Sequence, residues 1–106
     1  MSGFRSLTEA EFVAGLRAQV GKRVRVWYEV ESAEGGAERE TVEGRLTAVL
    51  GEVILDESRL IHPSMLDDHE RRTASLESVR GYNELDQRTG LVTSTIVHPR
   101  SSHPGS

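Results

Sequence analysis

The chain has 106 residues, a formal net charge of −4 at pH 7 and no cysteine. This length fits one domain, and the lack of cysteine excludes disulfide scaffolds, thiol nucleophiles and cysteine-ligated zinc sites. No stretch approaches the ~20 apolar residues that a spanning helix needs, and the first residues lack the apolar run of a secretory signal. We therefore expect a cytoplasmic protein with no membrane partner.

Charge is distributed unevenly along the chain. Residues 1–28 carry five Lys or Arg against two Glu, whereas residues 29–43 carry six Glu against one Arg. The overall acidity argues against a general nucleic-acid coat protein, whose affinity would need a wide basic surface. The basic first segment still leaves room for a narrow nucleic-acid site, and the acidic segment is a candidate surface for a basic partner.

The first predicted element is a helix over residues 8–20. Thr8 and Glu11 have the spacing of a capping box, in which each side chain bonds to the backbone N–H of the other residue. An apolar stripe at helical spacing consists of Phe12, Val13, Leu16 and Val20. Gly21 is a natural stop signal, whereas Gly15 weakens the helix by up to ~1 kcal/mol, so the helix must rely on the rest of the fold.

After the helix, the period of the sequence changes to that of a strand. Over residues 22–30 apolar and polar side chains alternate, which predicts a strand with one buried face. The inward set is Val24, Val26, Tyr28 and Val30, and the outward set is Arg23, Arg25, Trp27 and Glu29. Turns at 32–37 and 51–52 separate a second strand, over residues 39–50, from its neighbours, and a third strand follows at 53–56.

The second half of the chain is less regular. Residues 58–72 mix apolar pairs with a proline and an acidic cluster, which indicates a long connection with a helical turn at Ser64–Asp68. Further strands are predicted over residues 72–76, 79–82 and 91–97, the last from its β-branched run. Residues 98–106 have the composition of a disordered tail, which leaves 1–97 as a single domain.

These elements predict a mainly β fold, a small closed or nearly closed barrel of five to six strands preceded by one amino-terminal α-helix. Closure would also remove exposed strand edges. The predicted core consists of Val24, Val26, Tyr28, Val42, Leu46, Val53, Leu55, Leu76 and Val79, with Phe12 and Leu16 of the helix closing one end.

Three short motifs in this order resemble the Sm-like and SH3-like small β-barrels, over roughly residues 12–85. The segment 21–26 (GKRVRV) opens a strand on a glycine and basic residues after a short helix. The segment 44–46 (GRL) matches a Gly-x-Leu step, and 79–83 (VRGYN) matches an aliphatic-Arg-Gly signature followed by Asn. The resemblance implies the barrel fold, RNA binding, and association of strand edges into rings.

Two features depart from the Sm family. Its turn between the second and third strands holds an Asp and an Asn that contact RNA bases, whereas here residues 50–52 (LGE) contain neither. The Glu-rich loop after the first strand is also longer than is usual in the family. The resemblance therefore supports the barrel fold more strongly than it supports RNA binding. The chain is more weakly similar to WYL-type domains, through residues 26–28 (VWY), and to the carboxy-terminal barrel of a ribosome-maturation factor.

The candidate binding site is the outward face of the first strand together with a late strand. Its residues are Lys22, Arg23, Arg25, Trp27, Arg80 and Asn83. An aromatic ring beside cations suits base stacking combined with phosphate attraction, which indicates RNA or another single-stranded nucleic acid. In an alternative interpretation, the cations keep a barrel face hydrated and pair with Glu29 or Glu43 across strands, while Trp27 closes the barrel under the helix.

No sequence pattern indicates catalysis, a cofactor or a metal. The chain has no Gly-x-Ser-x-Gly elbow, no P-loop and no GxGxxG. One loop contains metal-binding residue types without a recognised ligand spacing, namely His62, Asp67, Asp68, His69 and Glu70. We therefore expect no catalytic residue, no cofactor and no metal.

The sequence thus predicts a non-enzymatic binding module that is nucleic-acid-associated, with RNA ahead of DNA, through the basic first strand. The alternative is a protein-interaction or self-assembly module, with another protein or a second copy in a homo-oligomer as its partner. In that alternative the acidic loop and the barrel edges form the contacts.

Overall fold

The computed structural model describes residues 7–32, 35–62 and 65–99, and for Ser32, His62 and residues 65–70 the description covers the backbone alone. In chain order, the elements are helix α1 (Glu9–Arg17) and strands β1 (Arg23–Ser32), β2 (Gly36–Val49), β3 (Glu52–His62), β4 (Met65–Ser75), β5 (Val79–Leu85) and β6 (Val92–Val97). A 3₁₀ turn at Leu76–Ser78 connects β4 to β5.

All six strands belong to one antiparallel sheet in the order β4-β3-β2-β1-β5-β6. The first four strands form a meander, after which the chain crosses back so that β5 pairs with the other side of β1. This arrangement confirms the mainly β class, the strand number and the amino-terminal helix. The pairings leave β4 and β6 as the two terminal strands, so closure into a barrel stays a prediction.

Thr8 caps α1 through the predicted reciprocal hydrogen bonds. The backbone N–H of Glu11 donates to Thr8 Oγ1 at 3.1 Å, and the backbone N–H of Thr8 donates to Glu11 Oε1 at 2.9 Å. The helix ends at Arg17 rather than at Val20. Gly21 has a φ of 96°, a left-handed conformation that suits the residue predicted to stop the helix.

One face of the sheet packs against α1 and forms the core. All the residues predicted for the core are buried except Leu76, which is half-buried against it. Strict alternation from Val42 and Leu46 would bury Ala48, but Val49 is buried instead, because a bulge shifts the β2–β3 register between Leu46 and Ala48. The core cluster is Phe12, Leu16, Val24, Val26, Tyr28, Val42, Leu46, Val49, Val53, Leu55, Ala74, Val79 and Tyr82.

The prediction of a long connection over residues 58–72 is wrong. β3 continues to His62 and β4 begins at Met65, and the two strands pair from Glu52↔Ser75 to His62↔Met65. Residues 65–68 are therefore strand and not a helical turn, while Ser64 lies outside the described residues. Apolar pairs interrupt the alternation in this segment, but hydrogen bonds between neighbouring strands hold the backbone extended whatever the side-chain pattern.

The packed part of the chain extends into the segment predicted as a tail. His98 is only 5% exposed, and its ring packs edge-on against Phe12 with the centroids 4.9 Å apart. Its backbone N–H donates to Arg80 O at 2.9 Å. His98 therefore belongs to the folded domain, and residues 100–106 of the predicted tail lie outside the described residues.

Both tyrosines of the chain are buried on the core side of the sheet. Burial, together with the hydrogen bond that the Tyr28 hydroxyl donates to Glu40 Oε1 at 3.0 Å, raises the pKa of Tyr28 to about 12, although Arg72 acts in the opposite direction. Burial, and then the negative charge of Glu84, raises the pKa of Tyr82 to about 12 as well. Folding thus favours the neutral phenol over the phenolate at both positions.

We predict that the protein loses stability as the pH rises from about 10 to about 12. Unfolded tyrosines ionise near pH 10 and the folded ones near 12, so their stabilising contribution is complete below pH 10 and is lost through that interval. Tyrosinate absorbance measures this, with both tyrosines protonated in the native protein at about pH 11 and titrating near 10 in denaturant. Phenolates that form near pH 10 while circular dichroism still reports folded protein would contradict the burial.

Gly15 is the point at which Tyr82 approaches α1. A Cβ atom on Gly15 would lie 2.6 Å from Tyr82 Oη, whereas the next nearest atom, Cζ of the same ring, would lie 3.9 Å away. Tyr82 is 2% exposed and its ring packs against Phe12 with centroids 5.5 Å apart, so the ring has little room to move. The glycine in the helix therefore makes room for the hydroxyl group.

We predict that the effect of Gly15→Ala changes sign with the residue at position 82. In the wild-type chain the added methyl group meets the hydroxyl and destabilises the fold, in spite of the higher helix propensity of alanine. In a Tyr82→Phe background the obstructing atom is gone, and the same substitution should stabilise the protein by about 0.5–1 kcal/mol. Chemical denaturation of the four proteins in this double-mutant cycle measures the difference. An equal effect in both backgrounds would contradict the contact.

Candidate nucleic-acid interface

The outward face of β1 and the neighbouring strand β5 bring together four of the six predicted site residues, namely Arg23, Arg25, Trp27 and Asn83. Arg25 and Trp27 alternate with the buried Val24, Val26 and Tyr28, so their side chains lie on the face opposite to the core. On the neighbouring strand β5, Asn83 is the cross-strand partner of Arg25, and Gly81 is that of Trp27.

Trp27 lies over the backbone of β5. A Cβ atom on Gly81 would fall 2.0 Å from Trp27 Cζ2 and 2.4 Å from Cε2, so the indole occupies the space that any side chain at position 81 would need. The guanidinium carbon of Arg39, on β2, lies 6.0 Å from the centroid of the ring, and the ring remains partly exposed. The alternative prediction that Trp27 closes the barrel under the helix is therefore wrong, because its place on β1 directs it to the other face of the sheet.

Arg23 and Arg25 share one carboxylate. Glu43, on the adjacent strand β2, lies 3.0 Å from Arg25 Nε and 3.5 Å from Arg23 Nη2. Arg23 also donates to the backbone oxygen of Glu57 at 3.4 Å. The pairing across strands that the alternative interpretation predicts is thus present, and it leaves two cations with one compensating charge.

The other predicted site residues lie apart from this pair of arginines. Arg80 sits at a bulge in the β1–β5 pairing, where it binds Glu29 at 3.3 Å and donates to the backbone oxygen of Glu77 at 2.6 Å. Lys22 is exposed in the turn before β1, and no ion pair involves its ammonium group within the described part of the chain. The structure therefore anchors Arg80 internally and leaves Lys22 at the margin of the site.

Asn83 is held by the neighbouring strand β6. Its Nδ2 donates to Thr95 Oγ1 at 2.9 Å, which fixes the amide and leaves its carbonyl oxygen directed elsewhere. The amide stands across from Arg25 on the same face of the sheet. It is therefore available as a fixed polar group beside the arginine.

Arg39 and Gly81 belong to the site but are missing from the sequence prediction. For Arg39, the feature that could have identified it is the pairing of β1 with β2. The Gly35-Gly36 turn sets a register in which Arg39 lies opposite Glu29 and diagonal to Trp27. Gly81 was not a candidate because glycine carries no functional group; its role is to leave space for the indole.

Several of the acidic side chains on the β1–β2 hairpin are engaged within the fold. Glu29 pairs with Arg80, Glu43 with the two arginines of β1, and Glu40 accepts a hydrogen bond from Tyr28. Glu34 lies outside the described residues. These contacts reduce the charge that the acidic loop offers to a basic partner.

Away from the site, the outward face of the sheet carries further ion pairs between neighbouring strands. Arg45 binds Glu57, and Arg71 binds Asp56 at 2.8 Å. The hydrogen bond from Arg71 lowers the pKa of the Asp56 carboxyl below its usual value. In each of these pairs one carboxylate balances one arginine, whereas Arg23 and Arg25 share Glu43.

No protein-family model, no curated protein and no solved structure gives a significant match to this chain. The described architecture is a six-stranded antiparallel sheet with an amino-terminal helix and an aromatic residue among cations on its outward face. No helix in the described ranges is long and apolar enough to cross a membrane.

The five residues with metal-binding side chains between positions 62 and 70 lie where only the backbone is described. Elsewhere in the described chain, no three histidine or carboxylate side chains form a group that could hold a metal ion.

We predict that Gly81→Ala destabilises the protein by about 1–3 kcal/mol, because the added methyl group must displace the indole of Trp27. The matched control is the same substitution in a Trp27→Val background, where the obstructing ring is absent and the cost should be much smaller. Urea unfolding followed by circular dichroism compares the two. A cost that is independent of residue 27 would show that Trp27 does not occupy this position.

Proposed function

We propose that the protein is a binding module, not an enzyme, and that it binds single-stranded nucleic acid, RNA ahead of DNA, on the outward face of β1. The main support is the position of Trp27, which is partly exposed above Gly81 and has the guanidinium of Arg39 over its ring, 6.0 Å from the centroid. An aromatic ring fixed on a rigid sheet stacks against a base of any sequence, and nearby cations attract the phosphates. The preference for RNA rests on the resemblance to Sm-like barrels.

The positive charge near Trp27 comes from more than one strand. Arg23 and Arg25 belong to β1 and Arg39 to β2, while Glu43 is the carboxylate that binds the first two. A phosphate that binds here competes with Glu43 for the arginines, and this competition limits affinity. The proposal is therefore a narrow site of moderate strength that contacts on the order of three phosphates.

The barrel architecture is part of the same proposal. Ala74 of β4 belongs to the same core cluster as Tyr82 of β5, and Ile96 of β6 packs against that cluster. Strands from both ends of the sheet order thus contact one core, which requires strong curvature. This curvature, together with β1 lying between β2 and β5, supports a small barrel of the Sm-like or SH3-like kind.

A second candidate function is self-assembly. A separate observation favours it, namely that the terminal strand β6 carries no charged residue. This function does not compete with the first, because β6 and the outward face of β1 are different surfaces.

We predict that Arg25→Glu abolishes binding of a short single-stranded oligouridine, measured by fluorescence anisotropy at low salt. Glu43→Gln should raise the affinity, because it removes the carboxylate that competes with phosphate. For the wild type, the logarithm of affinity should fall with the logarithm of salt concentration with a slope of about −2, as expected for about three phosphates on a single strand.

The matched control is Arg71→Glu. It makes the same charge change and also breaks an arginine–carboxylate pair on the outward face, but it lies on β4. Binding should survive this substitution. If Arg25→Glu and Arg71→Glu have equal effects, or if binding is insensitive to salt, the proposed site is wrong. The same titration with oligodeoxythymidine tests the preference for RNA.

A further inference from the structure

β6 is a terminal strand of the sheet that the described residues form. Among the described residues it pairs with β5 alone. It contains no charged residue, no glycine and no proline. Its end residues Val92 and Val97 are 44% and 36% exposed, and Leu91, which precedes the strand, is 68% exposed. Native edge strands usually carry charges, proline or bulges that discourage pairing with another chain. β6 has one bulge at its start, and from Ser94 to Val97 its register with β5 is regular.

The hydrogen bonding of the next residue shows which backbone groups face this edge. The N–H of His98 donates to Arg80 O, in the same register as the pairs Tyr82↔Ile96 and Glu84↔Ser94. In an antiparallel ladder, residues alternate between bonding to the neighbour and pointing away from it. The N–H and C=O groups of Thr95 and Val97 therefore point away from β5, toward the opposite edge of β6, where no described residue pairs with them.

We propose that β6 pairs antiparallel with β6 of a second copy of this chain, with Ile96 opposite Ile96 of the partner subunit. In this register Thr95 faces Val97 of the partner subunit on both sides of a two-fold axis. The outward groups of these residues then satisfy one another with on the order of four hydrogen bonds. No like charges meet across the axis, because β6 has none.

The composition of the other terminal strand favours β6 as the partner. β4 carries three acidic and two basic residues, the pattern that protects an edge from pairing. A contact between β6 of one copy and β4 of the next would also be heterologous and would leave further edges open, whereas a β6–β6 contact closes after two copies. The symmetric contact is therefore the one that the sequence of both edges supports.

The absence of cysteine from the chain allows a direct test of the register. In the proposed pair, Ile96 residues face each other at a position that is not hydrogen-bonded, where Cα atoms lie about 4.5 Å apart, within the range of a disulfide. Ile96→Cys should therefore form a cross-linked dimer under mild oxidation. The matched control is Ser94→Cys, which lies on the same strand face but is displaced from its symmetry mate by four residues, roughly 14 Å, and should not cross-link.

A second test removes the backbone donor without changing the sheet. Light scattering after gel filtration should give the wild type twice the 11.7 kDa mass of the chain at high micromolar concentration. Thr95→Pro should give a monomer that keeps its circular dichroism spectrum, because this N–H faces away from β5 and proline is tolerated on edge strands. Thr95→Val also loses the bond to Asn83 but keeps the N–H, and it should remain a dimer.

The outcomes separate this proposal from the one on nucleic acid. A wild type that stays monomeric at every concentration, or Ser94→Cys cross-linking as readily as Ile96→Cys, would overturn the β6–β6 dimer. A dimer that persists in folded Thr95→Pro would assign the contact to another surface and would also overturn it. Because Arg25 and Thr95 lie on different strands, loss of RNA binding in Arg25→Glu with an unchanged mass would leave the dimer standing.

Discussion

The pairing of β1 with β2 on one side and β5 on the other fixes most of the molecule. Side chains alternate along a strand, so a slip of one residue would drive Arg25 into the core and expose Val24 and Val26. The burial of those valines therefore sets the register, and the register in turn decides which residues stand opposite the arginines. The chemistry of the outward face follows from packing on the inward face.

This pairing explains why charge is segregated in the sequence. The basic segment ends within β1, and the acidic segment runs from the end of β1 into β2. The antiparallel hairpin sets the two side by side, so that Glu43 meets Arg23 and Arg25. Opposite charges directly across strands stabilise a sheet, whereas like charges destabilise it. In the sequence, the basic and acidic segments look like two separate binding surfaces. In the fold they form one surface on which most charges are paired, with a small excess of positive charge near Trp27.

Local patterns in the sequence predicted the parts of the fold that depend on near neighbours. The capping box at Thr8 and the alternation along β1 involve residues within a few positions of each other, and both are present in the structure. The β3–β4 hairpin was mispredicted, because its extended backbone depends on cross-strand hydrogen bonds and not on alternating side chains. Within the candidate site, the sequence predicts Arg23, Arg25, Trp27 and Asn83. It does not predict the bond from Asn83 to Thr95, because the pairing of β5 with β6 decides it.

The pairing of strands also determines which arginines on the outward face are available to a ligand. Arg80 looks like a site residue in the sequence because it stands in a motif, yet its side chain is bound to Glu29 and to a backbone oxygen. Arg39 stands in an acidic run and attracts no attention there, yet it lies next to the aromatic ring. Which cations are available for a ligand is a property of the register and cannot be read from residue type.

Two glycines in this fold are each matched to one aromatic side chain on another element. Gly15 of α1 accommodates the hydroxyl of Tyr82, and Gly81 of β5 accommodates the ring of Trp27. In both cases a larger residue at the glycine position clashes with the aromatic side chain, and it is tolerated only if a smaller residue replaces the aromatic one. During divergence the two members of each pair are therefore constrained to change together, so positions 15 and 82, and positions 27 and 81, should covary even though more than fifty residues separate them in the chain.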